Sequence, residues 1–232
     1  MTILTNEYIQ LLKLQRPYIE GNTNEEIFSA YLKDVDNDYQ DIKEYVADSN
    51  NLVDIGAGMG GIDFVLKQQY PQLVISLLDG TGVEEGEHYG YHEDLKFYSD
   101  NKIAQDFFKA NNVDVKFYRA DTNLTVKCDT LISLNSWGFH YPITQYIDFV
   151  KNNRPQTIIL DIRPRYQKLN ELESIGYKFI KILRTWGTKK QRVVLVKQPT
   201  DAYEPSSGQN ASLQSSNDTE LTFVSIVLDQ VA

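Results

Sequence analysis

Leu52-Val53-Asp54-Ile55-Gly56-Ala57-Gly58-Met59-Gly60-Gly61 is the stretch that decides the fold of this 232-residue chain. Its apolar start is typical of a buried parallel strand. The glycines that follow allow a tight turn in which backbone N–H groups approach a ligand without a Cβ in the way. Residues 62–70 predict a helix that ends before Pro71. A strand, a glycine turn and a helix N-terminus together predict a nucleotide cofactor site.

The composition limits the classes of partner. The formal net charge is −9, which argues against nucleic acid because phosphate binding needs a basic face. Cys128 is the single cysteine, so the chain has neither an internal disulfide nor a thiolate metal cluster. Apolar runs stay well below the ~20 residues of a membrane helix, and residues 1–7 lack the pattern of a signal peptide. We therefore expect a cytoplasmic protein; the oligomeric state is left open.

The hydrophobic pattern divides the chain into three parts. Residues 1–48 predict an N-terminal helical cap, because Glu25–Val46 carries apolar residues at helical intervals. In residues 49–197, strand and helix patterns alternate, which is typical of a parallel sheet with helices on both faces. Residues 198–232 are rich in polar residues and predict a flexible tail, with a second apolar segment at Leu221–Leu228.

The central part yields individual elements. Strands are predicted at Leu52–Ile55, Leu73–Leu78, Val113–Tyr118, Thr130–Leu134 and Thr157–Leu160, and helices at Gly61–Gln69, Asp100–Ala110, Thr144–Lys151 and Gln167–Ser174. Tyr177–Arg184 and Arg192–Lys197 have no helix between them and predict a closing hairpin. The fold class is therefore α/β: a Rossmann-like, doubly wound sheet of seven strands, mostly parallel with one antiparallel edge strand.

Acidic residues end the first three predicted strands. Asp54 and Asp79 close the first two, and Asp121 follows the third. In a parallel sheet these strand ends line one crevice, where ligands bind. A carboxylate at Asp79 can accept both hydroxyls of a ribose, whereas Asp121 or its neighbouring amide can address an adenine edge. An Asp at a strand end is also a common helix cap or turn residue, so each of the three has a purely structural alternative.

Asp54-Ile55-Gly56-Ala57-Gly58-Met59-Gly60 resembles the first motif of class I S-adenosylmethionine-dependent methyltransferases. Asp79 matches the ribose-binding acidic residue of that family, Ala120-Asp121 its adenine-contacting position, and the closing hairpin its antiparallel strand. The resemblance covers roughly residues 25–197 and implies S-adenosylmethionine as the cofactor. The cofactor-binding residues it suggests are Asp54, Gly56, Ala57, Gly58, Met59, Asp79, Gly80, Asp121, Thr122 and Asn135.

A dinucleotide is the competing cofactor. Gly56, Gly58 and Gly61, with Asp79 about 20 residues on, also satisfy the dinucleotide fingerprint. We favour S-adenosylmethionine because Asp54 would repel a pyrophosphate but would attract the ammonium of an aminopropyl chain. A dehydrogenase would also need further chain for a substrate domain. An NAD-dependent oxidoreductase and a non-catalytic nucleotide-binding relative remain the alternatives.

The loop at residues 133–142 is the best candidate for the acceptor side, because it follows the fourth strand and is rich in aromatic and hydrogen-bonding residues. It lacks the Asn-Pro-Pro-Tyr type motif with which members of the family grip an amino group on a base. His140 is the candidate general base for a hydroxyl acceptor. Packing beside Pro142, or capping the helix near Ile143, is its structural alternative. Trp137 and Phe139 could wall the pocket or belong to the core.

Two further groups have weaker signals. His88 and His92 lie in a long acidic loop at residues 80–97, for which we favour a solvated lid and predict no metal. Asp161, Arg163 and Arg165 follow the fifth strand, where an arginine could hold a substrate carboxylate or phosphate, or form surface ion pairs. We predict an S-adenosylmethionine-dependent methyltransferase that acts on a small molecule. A sugar-type hydroxyl is one acceptor that we consider.

Overall fold

The computed structural model describes residues 2–83, 98–120, 124–166 and 169–199. Two helices come first, α1 (Asn6–Gln15) and α2 (Asn24–Val46). Each begins where a threonine hydroxyl accepts a backbone N–H: Thr5 from Tyr8, and Thr23 from Glu26. The helix predicted at Glu25–Val46 is thus confirmed, and the buried residues of α2 recur at the predicted helical spacing.

Strands and helices then alternate along the chain. The elements are β1 (Asn51–Ile55), α3 (Gly61–Gln69), β2 (Val74–Asp79), β3 (Thr81–Val83), β4 (Tyr98–Asp100), α4 (Asn101–Ala110), β5 (Lys116–Arg119), β6 (Thr130–Ser133), a 3₁₀-helix (Ile143–Tyr146), α5 (Ile147–Asn153), β7 (Thr157–Ile162), α6 (Asn170–Glu173), β8 (Tyr177–Trp186) and β9 (Lys190–Lys197).

Seven of the strands form one sheet in the order β5-β2-β1-β6-β7-β9-β8. The first five are parallel, whereas β9 runs antiparallel to both β7 and β8. This confirms the predicted fold class. The antiparallel strand lies one place in from the edge, because the hairpin inserts β9 between β7 and β8. The antiparallel ribbon of β3 and β4 was not predicted.

Helices cover the sheet on both faces through two apolar clusters. One cluster contains residues of α1, α2, α3 and α4 and is rich in aromatic rings. The centroids of the stacked Tyr8 and Phe107 rings are 4.1 Å apart, and those of Phe28 and Phe107 are 5.7 Å apart. The other packs α5 and α6 against the opposite face. The N-terminal helices therefore share one core with the sheet. In the described part of the chain, no helix combines the length and apolarity needed to cross a membrane.

The predicted element bounds shift where tertiary contacts decide them. Gly61–Gln69 is helical as predicted, but β5 begins at Lys116 instead of Val113. The amide of Val113 donates to Phe108 at 2.9 Å and so belongs to the C-terminal turn of α4. The helix predicted at Thr144–Lys151 divides into the 3₁₀-helix and α5. The predicted tail lies outside the described residues from residue 200 onward.

Candidate functional site

A cavity of about 440 Å³ opens at the carboxyl edge of the parallel strands, where the strand order reverses between β1 and β6. Most of its lining comes from four places in the sequence: the glycine turn after β1, the loop after β6, the two N-terminal helices with their connection, and the β8–β9 hairpin. Asp79, Ala120, Tyr146 and Arg163 complete it. This volume is typical of small-molecule sites. The sheet thus brings together the two segments in which the sequence analysis placed the cofactor and the acceptor.

The glycine turn forms the floor of the cavity and has no space for side chains. Gly56 and Gly58 have φ of 74° and 58°, which favours glycine. A Cβ on Gly56 would lie 1.8 Å from the Ser136 hydroxyl oxygen, and one on Gly61 would lie 2.0 Å from the Tyr31 hydroxyl oxygen. The glycines therefore let the β6 loop and α2 approach the turn closely.

Asp79 fixes this turn from the end of β2. Its side chain lines the cavity, although the residue is only 7% exposed. One carboxylate oxygen accepts the Gly58 amide at 2.5 Å, and the other accepts the Gly80 amide at 2.6 Å. A carboxylate offers about four acceptor sites, so ligand hydroxyls can share it with these amides. Asp79 is thus placed to bind a ligand and to shape the turn.

Asp54 lies beside Asp63 of α3, and both are buried. Three of their four carboxyl oxygens have no hydrogen-bond partner among the described residues. Burial raises the pKa of Asp63 to about 7, and burial with the nearby Asp63 carboxyl raises the pKa of Asp54 well above its usual value. Neither residue lines the cavity. Asp54 is therefore not part of the cavity lining, and its role in orienting the glycine turn or in binding the amino group of a ligand, directly or through a water, stays a prediction.

The loop after β6 is held by its own hydrogen bonds. The Ser133 hydroxyl donates to the Ile55 carbonyl at 2.7 Å and accepts the Trp137 amide at 2.9 Å. The Trp137 indole N–H donates to the Ile143 carbonyl at 2.9 Å, and the ring is fully buried in the core. Asn135 adopts a left-handed φ of 59°. Trp137 therefore anchors the loop, while Asn135 and Phe139 line the cavity.

His140 lines the cavity and is 5% exposed. Its ring meets the Phe139 ring edge-on at 4.8 Å, and its amide donates to the Ser136 carbonyl at 2.7 Å. The 3₁₀-helix that begins at Ile143 has Pro142 at its N-cap, and the structural alternatives for His140, packing beside Pro142 or capping this helix, stay alternatives. This placement fits the predicted role of a general base.

A buried ion network under the cavity was missed by the sequence analysis. Arg192 is fully buried and donates to both carboxylate oxygens of Asp161, at 2.7 and 3.0 Å. It also contacts Asp38 at 2.8 Å and Asp41 at 3.0 Å, both on α2. Burial alone would raise the pKa of Asp161, but Arg192 and Lys190 outweigh it and hold that pKa below its usual value. The network ties α2 to β7 and β9.

The β8–β9 hairpin adds a cationic, aromatic wall. The Lys190 ammonium lies 3.5 Å from the centroid of the Trp186 ring and donates to the Asn135 side-chain oxygen at 2.7 Å. Burial lowers the pKa of Lys190, against the opposing effect of Asp161. Trp186 and Lys190 flank the turn between two strand patterns. Aromatic and basic residues beside a predicted turn were the available signal for this wall, but they were not recognised from the sequence as part of the site.

The other wall comes from the connection after α1 and from α2. The Arg16 guanidinium forms an ion pair with Asp34, and Tyr18 donates to Asp34 at 2.8 Å. All three residues line the cavity, together with Tyr31. Polar residues on an amphipathic helix are normally on its solvent face, so nothing in the sequence distinguished these from surface residues.

The predicted cofactor residues separate into three groups. Those that line the cavity are Gly56, Ala57, Gly58, Met59, Asp79 and Asn135. Gly80 acts indirectly through its hydrogen bond to Asp79, and Asp54 is buried nearby. Asp121, Thr122, His88 and His92 lie outside the described residues, so their predicted roles stay predictions. In the ranges that are described, no three metal-ligating side chains come together.

Comparison with known proteins gives likeness in structure alone: no family model and no curated sequence matches the chain. A protein from Pyrococcus horikoshii OT3 is 12% identical; the match covers 84% of this chain and 100% of that one, with a TM-score of 0.54. A mutant of MtNAS, solved with S-adenosylmethionine, is 15% identical over 82% of this chain and 72% of its own, with a TM-score of 0.51.

The pyocyanin biosynthetic protein PhzM is 11% identical, with a TM-score of 0.50; the match covers 83% of this chain and 61% of PhzM. At these identities the likeness concerns the fold. That shared fold is the α/β sheet of seven strands predicted from the sequence.

Proposed function

We propose that this chain is an S-adenosylmethionine-dependent methyltransferase that acts on a small-molecule acceptor within the cavity. The observation that carries the proposal is the Asp79 carboxylate, which spans the Gly58 and Gly80 amides at the mouth of the glycine turn. A carboxylate at the end of the second strand of this fold is suited to the two hydroxyls of a ribose. The three structural likenesses reported above support the fold on which this assignment depends.

The residues present fit this cofactor. Gly56 and Gly58 leave a cradle in which backbone atoms can contact the amino-acid part of the molecule, and Asn135 faces it from the β6 loop. The Ala120 amide donates to the Asp79 carbonyl at 3.0 Å, and Ala120 is the position that the resemblance assigns to the adenine end. Asp121 and Thr122 are proposed there from the sequence. When bound, S-adenosylmethionine supplies an electrophilic methyl group on a sulfonium.

We propose His140 as the group that accepts the proton of an acceptor hydroxyl. It lines the cavity in a loop fixed by Ser133 and Trp137, so its position needs little reorganisation. A sugar-type hydroxyl is the acceptor we considered from the sequence. The aromatic walls of Phe139 and Trp186 are compatible with a planar or ring-shaped acceptor. The cytoplasmic location and the exclusion of nucleic acid stay predictions from the sequence.

The NAD-dependent alternative has lost one of the arguments against it. Repulsion between Asp54 and a pyrophosphate assumed an ionised carboxylate facing the ligand. Asp54 is instead buried, is not part of the cavity lining, and has a raised pKa. The choice between the two cofactors therefore depends on the fold and on direct binding measurements.

Calorimetry of the purified protein with S-adenosylmethionine, S-adenosylhomocysteine and NAD tests the proposal. We expect the first two to bind and NAD not to bind; binding of NAD alone would refute the cofactor assignment. Incubation with S-adenosylmethionine and a panel of hydroxyl-bearing small molecules, analysed by mass spectrometry, then tests turnover. Methyl transfer yields S-adenosylhomocysteine, whereas transfer of the aminocarboxypropyl group yields methylthioadenosine. Binding without either product would favour a non-catalytic relative.

A further inference from the structure

Four cationic side chains line the cavity: Arg16, Arg163, Arg184 and Lys190. Three of them are neutralised inside the protein. Arg16 pairs with Asp34, Arg184 pairs with Asp41 at 2.8 Å, and Lys190 pairs with Asp161 at 3.4 Å. Among the described residues, Arg163 is the lining cation that makes no ion pair with a carboxylate. The chain as a whole has a net charge of −9, so a lining cation without a carboxylate partner is unusual. Such a cation is suited to binding an anionic ligand.

Arg163 is held in place although it has no ion pair. It follows β7 directly, and its amide donates to the Gly138 carbonyl at 3.2 Å. Its guanidinium carbon lies 4.2 Å from the centroid of the Phe139 ring. Its Nε is buried and has no hydrogen-bond partner in the part of the chain that the structure describes. A buried donor without a partner is costly, so no contact within the described protein compensates for the desolvation of this side chain.

Stacking on Phe139 does not satisfy the arginine by itself. A cation–π contact uses the flat face of the guanidinium, whereas its N–H donors point outward in the plane of the group. Two of those in-plane donors can form parallel hydrogen bonds with the two oxygens of a carboxylate. The contact with Phe139 therefore uses none of the hydrogen-bond donors of the guanidinium, which form no hydrogen bond with other described residues. Burial also lowers the pKa of Arg163, although an arginine stays charged at any ordinary pH.

We propose that the methyl acceptor of this chain carries a carboxylate, and that Arg163 binds it in the cavity beside Phe139. That the bound molecule is a methyl acceptor rests on the proposed function, whereas the anion site itself rests on the geometry of Arg163. A carboxylate fits better than a phosphate, because a phosphate brings close to two negative charges into a cavity that Asp34, Asp38 and Asp79 also line. This assigns a substrate class and a specificity-determining residue.

The test uses benzoate, benzamide and phenyl phosphate as probes, titrated by calorimetry or NMR into the protein with and without S-adenosylhomocysteine. Arg163→Gln removes the charge, and Arg163→Lys keeps the charge without the planar fork. Arg165→Gln is the matched control, because Arg165 is two residues away, exposed, and not part of the cavity lining. An unchanged midpoint of urea unfolding shows that each variant is folded, whether or not the protein binds S-adenosylhomocysteine.

We expect benzoate to bind the parent protein and the Arg165→Gln variant with equal affinity. Its affinity for the Arg163→Gln variant should be lower by about tenfold or more. Benzamide, the neutral isostere, should bind weakly to all of them, and Arg163→Lys should fall between the parent and Arg163→Gln. Benzoate affinity that does not change in Arg163→Gln, no benzoate binding to the parent, or tighter binding of phenyl phosphate would overturn the proposal. Failure of S-adenosylhomocysteine to bind would refute the proposed function but leave the benzoate result valid for Arg163.

Discussion

Replacing Asp79 with alanine is the sharpest test of the cofactor site. Two hydrogen bonds from ribose hydroxyls to an ionised carboxylate contribute about 1.5–3 kcal/mol each. Losing both at the lower value costs about 3 kcal/mol, which is roughly a hundredfold in Kd. The substitution also frees the amides of Gly58 and Gly80, which the carboxylate holds at 2.5 and 2.6 Å. We therefore expect Asp79→Ala to weaken S-adenosylhomocysteine binding about a hundredfold or more.

Asp79→Asn should also bind poorly, although it keeps the shape of the side chain. Both carboxylate oxygens of Asp79 accept backbone N–H groups, so an asparagine must turn its own NH₂ toward the Gly58 or the Gly80 amide. Two donors then face each other across a short distance. The asparagine variant thus separates this structure from one in which Asp79 bonds only to the ligand, where asparagine would keep part of the affinity.

Asp129→Ala is the matched control, because it also removes a carboxylate that holds two backbone amides. Asp129 also accepts two backbone amides, from Asn50 at 3.0 Å and Asn51 at 2.8 Å, but at the amino end of β1 and outside the cavity lining. It should lower the midpoint of urea unfolding and leave the Kd for S-adenosylhomocysteine unchanged. Calorimetric affinity of Asp79→Ala within about threefold of the parent, or equal losses in both variants, would refute the reasoning.

His140→Ala should leave S-adenosylhomocysteine affinity intact and lower turnover on a hydroxyl acceptor by about 10²-fold; equal turnover would exclude His140 as the base. Gly61→Ala places a Cβ 2.0 Å from the Tyr31 hydroxyl, so urea titration should show a loss of about 1–3 kcal/mol as α2 is forced away from α3. Burial raises the pKa of Asp63 to about 7, so the folded protein binds a proton there that the unfolded chain releases near pH 4. Stability from this group is full below that pH and is lost as the pH rises through about 7. Asp63→Asn should therefore stabilise the protein at pH 8 more than at pH 5 in parallel denaturation curves; a gain that does not depend on pH would contradict this.

The sequence predicted what short-range rules control. The strand Asn51–Ile55 and the helix Gly61–Gln69 follow from an apolar run, a glycine turn and a proline stop, and the structure places them where these signals lie. Asp79 was placed correctly at the cavity for the same reason, because it ends a strand next to the turn. Parallel strands bring their ends to one edge, so the position of these residues along the chain was sufficient to predict their proximity.

Pairing between distant segments could not be predicted in this way. Arg192 begins a run of apolar residues, and nothing local indicates that it meets Asp38 and Asp41 about 150 positions earlier. The burial of Asp54 could not be predicted for a related reason: its position in the motif was clear, but its placement beside Asp63 depends on how α3 packs on the sheet. Charge in a sequence does not show whether a carboxylate will be solvated, paired or protonated.

The two halves of the cavity are therefore encoded differently. The donor side consists of backbone geometry and one carboxylate within a single βαβ unit, so a local motif is enough to specify it. The acceptor side depends on Arg192, whose burial would be unfavourable without its carboxylate partners. Asp38 pairs with Arg192 and also lines the cavity, so the network that holds α2 on the sheet also positions one wall of the cavity. That wall forms only after segments far apart in sequence have packed. Gly56, Gly58 and Asp79 could therefore be assigned to the cavity from their places in the sequence, whereas the unpaired charge of Arg163 among the described residues becomes visible only in the folded protein.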